Sequence, residues 1–336
     1  MKRLMLVSIL SLSAAALASA ATTCTYLTSG TRMVLQADCT TDAPIVIPNG
    51  MTHDGAGHRI TAVDPPGDNF RGAILEAAGL SADVVNTVIA TDGLANFCAE
   101  GADRLAAIRF DGAAGSIRGN TILSVNKNPS GGRSSCQEGN AIEVANFTSP
   151  GRLSINIQGN TIREYQKNGI LLRGDVDGII TDNAIAGAGP QGVIGQNGIV
   201  LASGASAHIL RNRVSGNAYT GSGWASGGIV VDSGPLHGTN YSFGVDIESN
   251  TLVGNDVGVW LMQMNARKQS PETPTRARVA NNLIQNDAVT NGYTYQAGIV
   301  DHGNRDVIEG NKIVGAGYDS ASAPGKIRAI DDYRQD

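Results

Sequence analysis

The segment IQGNTI, residues 157–162, decides the fold because it recurs. It returns as IRGNTI at 117–122, ITDNAI at 180–185, ILRNRV at 209–214, IESNTL at 247–252 and IEGNKI at 308–313, and VANNLI at 279–284 is the same pattern with Val leading. Between these copies runs a second motif, a small residue followed by Ile or Val, any residue and an apolar one. It is centred on Ile74, Ile108, Ile142, Ile170, Ile199, Ile229, Val259, Ile299 and Ile330, at intervals of 34, 34, 28, 29, 30, 30, 40 and 31 residues. Two short β-type runs per repeat, with no 3.6-residue periodicity, describe a solenoid coil and exclude a helical array.

Period-two alternation turns the Ile of each run inward and the next residue outward, so equivalent aliphatics stack from coil to coil. The supply of 43 Gly against 5 Phe and 2 Trp suits a narrow core of small aliphatics. One Asn falls at the same place in each coil: Asn120, Asn160, Asn183, Asn212, Asn250, Asn282 and Asn311. Stacked Asn side chains hydrogen-bond along the column, and Asn tolerates the left-handed conformation of a sharp turn, so all seven are read as structural. The expected fold is all-β, a single-domain right-handed parallel β-helix of about nine to ten coils.

Lys2 and Arg3, the apolar stretch from Leu4 to Leu17 and Ala18-Ser19-Ala20 have the layout of a secretory signal peptide, which assigns residues 1–20 to the signal and 21–336 to the domain. The apolar stretch is too short to span a membrane, and no later segment offers a span. The expected location is secreted or periplasmic. Net charge is −5, or −7 without Lys2 and Arg3, and the remaining basic residues are scattered, which argues against nucleic acid as a partner. Four cysteines in an exported chain form an even set that permits three pairings. Cys24 with Cys39 brackets a short N-terminal segment. Cys98 and Cys136 lie ten residues before Ile108 and six before Ile142, in loops feeding the same strand of neighbouring coils, so they are expected to pair. No C-x-x-C or C-x-x-H spacing suggests a metal site, and the scattered Asp232, Asp246 and Asp256 form no calcium cluster, so no cofactor is expected.

With these repeats, and with IVIPNGMTHDGAGHRITAV at 45–63 similar to the entry coil of such proteins, the chain resembles the right-handed parallel β-helix superfamily that includes pectate lyases, polysaccharide epimerases and phage tailspikes. The resemblance covers nearly the whole mature chain and implies a polysaccharide partner. It leaves activity open, because one architecture hosts many chemistries. It also implies where to look: along the outer face of one parallel sheet, flanked by long loops.

The first outward column of the second motif reads Arg109, Glu143, Leu171, Val200, Val230, Trp260, Val300, Asp331. Its apolar middle implies a cover, and the insertion from Met262 to Arg278 is the first candidate, ahead of an oligomer or ligand. The next column reads Asp111, Ala145, Arg173, Ala202, Asp232, Met262, His302, Tyr333. Arg173, Asp232 and His302 fall on alternate coils, roughly 10 Å apart, too far to act as a triad but able to line one groove. Asp301 occupies an inward column otherwise held by aliphatics, which calls for hydrogen bonds or a raised pKa. Its plain reading is a turn cap stacked beside Asp332. Its sharper reading is the Asp-His pair of GIVDHGN, 298–304, which resembles segments of pectate lyases and mannuronan epimerases. Such chemistry abstracts the proton next to a uronate carboxylate with a base, here His302, and needs positive charge, here Arg276 and Arg278. The order of the two segments is reversed relative to pectate lyases, and the Asp-Pro-His of the epimerases is missing. Glycoside hydrolysis by Asp232 and Asp301 would require Asp301 to face outward. Trp224, Trp260, Tyr293 and Tyr295 are candidates for stacking on sugar faces or for packing loops. His53, His58, His208 and His237 are read as turn residues, with His237, beside Asp232, the one of interest. Two functions stand: a polyuronate lyase or C5-epimerase, and a non-catalytic structural, adhesive or glycan-binding β-helix.

Overall fold

The computed structural model describes residues 22–77, 79–128 and 133–333, so the signal segment lies outside the described residues. Its strands form three sheets. The first has eleven strands, from Tyr26–Ser29 to Val307–Glu309; the second has ten, from Cys39–Thr41 to Lys312–Val314; the third has ten, from Ile45–Ile47 to Ile327–Asp332. Each strand pairs in parallel with its equivalent one coil away, and the sheets wrap a common core, a parallel β-helix. At the N-terminal end Tyr26–Ser29 instead pairs antiparallel with Arg32–Leu35, a hairpin that continues the first sheet beyond its first parallel pair.

The repeat places the core. Ile117, Ile157, Ile180, Ile209, Ile247 and Val279 stack in register in the first sheet, and Ile108, Ile142, Ile170, Ile199, Ile229, Val259 and Ile299 do so in the third. All of these are fully buried. One alignment is corrected: the partner of Ile108 is Leu75, not Ile74, so the first interval is a residue shorter than the motif suggests. A run of several apolar residues, AILEA, offers two phases, and only pairing chooses between them.

The seven Asn form one ladder. The Nδ2 of each donates to the Oδ1 of the next from Asn120 to Asn311, at 2.9–3.1 Å, and the backbone N–H of each donates to the same oxygen. The left-handed residue of the turn is not the Asn but the one before it: Gly119, Gly159, Asp182, Arg211, Ser249, Asn281 and Gly310 all have φ between 54° and 66°. That residue makes the corner, which frees the Asn to point inward. His53 is also corrected. It is no turn residue but sits on the strand Met51–Asp54, fully buried, opposite Val84, between the Tyr26 hydroxyl and Thr87 Oγ1 at 3.2 Å each. Burial pushes its pKa down to about 4, so the core there holds a neutral ring. His208 lies on a strand as well, Ser206–Leu210.

Both expected disulfides, Cys24–Cys39 and Cys98–Cys136, are formed, which fits an oxidising compartment. Among the described residues no helix is long and apolar enough to cross a membrane.

Candidate functional site

The outer face of the third sheet carries the two columns in the register read from sequence. Leu171, Val200, Val230 and Met262 form a strip only 5–7% exposed, extended by Ala202, Trp260 and Met264. Of the 262–278 insertion, Met264 joins this strip. Further along, the insertion is anchored sideways: Ser270 Oγ donates to Tyr333 O (2.9 Å) and Asn304 Nδ2 to Pro271 O (2.6 Å). The insertion therefore flanks the turn after His302, and the expectation of a lid over the whole strip is revised.

Three of the four aromatic candidates meet at the C-terminal part of this floor. The Trp224 and Trp260 rings have centroids 6.0 Å apart, and Trp260 and Tyr295 6.3 Å. Trp224 is 50% exposed. Tyr293, also exposed, stands apart under the Lys326 ammonium at 5.6 Å. Next to the row, Asp331 Oδ2 accepts from the Tyr295 and Tyr333 hydroxyls, both at 2.8 Å, and Asp331 Oδ1 from Arg328 (2.7 Å). Burial and the Asp331 charge raise the Tyr295 pKa, so its phenol stays protonated and is no base. Tyr333 stacks on His302 with centroids 4.2 Å apart, and burial lowers the pKa of His302 against the pull of Asp331.

The catalytic candidates are not assembled into one centre. Asp301 faces inward, fully buried, and its Oδ1 accepts from Gly303 N at 2.8 Å. It forms a carboxyl pair with Asp306, whose pKa burial and the Asp301 charge push up to about 7. That is the turn-capping arrangement, in register with Asp332, and it separates Asp301 from Asp232 as a hydrolytic pair. Arg278 lies on the first sheet, held by Asp246, Glu248 and Glu309 at 3.2, 3.0 and 3.1 Å, a different sheet from that of His302. Arg276 is exposed at a left-handed corner, its N–H donating to Asn304 O. Arg173 is on the groove sheet, 3.3 Å from Glu143, which also faces Arg109, and its guanidinium lies over Phe147.

Asp232 has company that its sequence position only hinted at. His237, on the short 3-10 turn Pro235–His237, places Nε2 2.9 Å from Asp232 Oδ1. Burial raises the Asp232 pKa, opposed by His237 and by Lys167. Lys167 was missed because nothing near it in sequence resembles a site. Also missed were the outward ladder Asn140, Asn168, Asn197 and the buried Asp256 and Asn291 behind the aromatic loops. The outward ladder had a signal, since each of its members stands two residues before a repeated Ile. Among the described residues no group of three or more His, Cys, Asp or Glu is arranged to hold a metal ion.

No family model and no curated protein matches the chain. Among solved structures it is similar to the periplasmic alginate epimerase AlgG, at 14% identity and a TM-score of 0.44, covering 92% of this chain and 79% of that one. It is similar to the Dettilon tailspike protein gp208 at 13% identity and a TM-score of 0.47, covering 90% and 61%. With the A-module of the Azotobacter vinelandii mannuronan C-5 epimerase AlgE4 the identity is 14% and the TM-score 0.26, over 87% and 91%. Its own ladders of three parallel sheets make this chain a parallel β-helix protein.

Proposed function

We propose that the protein binds an extended polysaccharide along the outer face of the third sheet. The observation that carries this is the row Trp224, Trp260, Tyr295, three rings drawn from three separate coils onto one face, beside an apolar strip and exposed polar groups. Rings presented in this way suit the apolar faces of sugars, and coils spaced about 4.8 Å apart let a linear chain contact several in turn.

One observation favours an added catalytic reading, of the polyuronate lyase or C5-epimerase type. Burial keeps the His302 imidazole neutral at neutral pH, the form that accepts a proton. The charge that such chemistry needs is not supplied by Arg278, which is committed on another sheet.

Both readings are tested with the purified mature chain. Trp260→Ala is expected to weaken binding to a polysaccharide panel about tenfold, with thermal unfolding little changed. Unchanged affinity would sink the groove. A lyase would release products absorbing in the ultraviolet through a new C4–C5 double bond, and His302→Ala would abolish the signal; no signal with any polyuronate removes the lyase.

A further inference from the structure

Several cations on and around the groove sheet are matched to carboxylates. Lys127 is buried against Glu138 at 3.0 Å, Arg109 and Arg173 share Glu143, and Arg328 meets Asp331. Lys167 differs. Its Nζ donates to the backbone oxygen of Gly195 at 2.9 Å, and no carboxylate oxygen of the described residues lies within 4.0 Å of it. Burial lowers its pKa, with Asp232 acting in the opposite sense from further away. An ammonium withdrawn from water without a counter-charge is costly, and this one keeps two hydrogens to donate.

Its position gives the charge a use. Gly195 lies against the Trp224 ring so closely that a Cβ there would be 2.9 Å from Trp224 Cδ1. The Lys167 ammonium is thus fixed to the backbone against which the Trp224 ring packs, and it feels Asp232 on the groove floor. Its neighbour Asn168 belongs to the outward ladder that runs from Asn140 through Asn197 to the N–H of Gly227, the residue that opens the strand after Trp224.

We propose that Lys167 is the anion anchor of the groove: a sugar stacked on Trp224 and Trp260 carries an acidic substituent, a carboxylate or a sulfate, that pairs with its ammonium. This rests on the glycan-binding reading above and names the class of glycan. The pairing is a charge-assisted hydrogen bond at a partly desolvated site, where it is stronger than at an open surface. Asp232, on the same floor, works against it, so removing that charge favours an acidic ligand.

The experiment compares binding of a polyuronate, a sulfated polysaccharide and an uncharged polysaccharide to the mature protein and three variants, by titration calorimetry at two salt concentrations. Lys167→Met keeps the apolar stem and loses the charge. It is expected to weaken binding of the acidic ligands about tenfold and to flatten their salt dependence, while binding of the uncharged one is unaffected. Lys167→Arg is expected to restore most of the loss, and Asp232→Asn to tighten the acidic ligands. The arm that responds, carboxylate or sulfate, identifies the substituent. Equal losses for acidic and uncharged ligands would make Lys167 a tie for the Gly195 loop and overturn the assignment, as would no loss at all. If no polysaccharide binds, or if Trp260→Ala leaves every affinity unchanged, the groove reading itself fails and this inference with it.

Discussion

One oxygen of the fully buried Asp256 accepts three hydrogen bonds, from Tyr219 N, Ser226 N and Asn291 Nδ2 at 2.8, 2.9 and 3.0 Å. Asn291 Nδ2 also reaches Trp224 O at 2.9 Å, and Asn291 Oδ1 accepts from Tyr293 N at 2.9 Å and Tyr295 N at 3.3 Å. Two side chains thereby hold both loops that present the aromatic row. Burial pushes the Asp256 pKa from 3.8 up to about 6, against these hydrogen bonds. The folded state therefore holds a proton that the unfolded state releases between those values, so this group's contribution to stability is greatest below pH 3.8 and is lost as pH rises through about 6. Considered alone, this group removes about 3 kcal/mol over that window. Asp256→Asn is expected to flatten that part of the denaturation profile; a wild-type slope left intact in the variant would show that Asp256 does not titrate there. At this scale the sequence made Trp224, Trp260 and Tyr295 legible through residue type. Asp256 and Asn291 were opaque, because an Asp and an Asn 35 residues apart become partners only when two loops are folded side by side.

At the scale of the element, the Asn ladder is the most regular device in the molecule. Asn183 Oδ1 accepts both the backbone N–H and the Nδ2 of Asn160, and its own Nδ2 reaches Ile157 O and Asn212 Oδ1. Asn183→Ala would strand two buried donors, a loss of about 3 kcal/mol. The same change at Asn311, half-buried at the open end, is expected to cost about 1 kcal/mol, because water can reach the freed groups. Urea denaturation of the two variants compares them, and equal losses would show that the ladder contributes no more inside than at its end. The ladder was legible since a single residue type recurs once per coil. The corner residue before it was not, since Gly, Asp, Arg, Ser and Asn all serve there at positive φ and the position therefore carries no sequence signature. The path of the 262–278 insertion was equally hidden: its polar residues specify no partner until Asn304 and Tyr333 are beside it.

At the scale of the whole molecule, each coil touches mainly the coil on either side, so stability propagates along one dimension. Amide hydrogen exchange is expected to be slowest in the central strands, those of Ile199 and Ile229, and fastest in Ile327–Asp332, the last strand of its sheet among the described residues, where Ile330 is 44% exposed. Uniform protection from end to end would contradict this. The repeat alone was enough to read the β-helix, its coil register from Ile108 onward, its inward aliphatics and its Asn ladder, and the places of Cys98 and Cys136 within it pointed to their disulfide. A property that recurs with every coil can be read from one dimension, whereas the Cys24–Cys39 bridge occurs once and was read from the closeness of its two residues in the chain. The candidate site depends on the folded chain. Lys167, Trp224, Asp232, Trp260 and Tyr295 are unique to their coils and are drawn from four of them. Whether they share a face depends on the sheet to which each strand is assigned and on the direction in which each loop leaves it. Arg278 and His302 show the consequence: 24 residues apart and within one coil of each other, they were assigned to one groove by motif but belong to different faces, because the chain between them turns two corners and passes through Leu283–Gln285 of the second sheet.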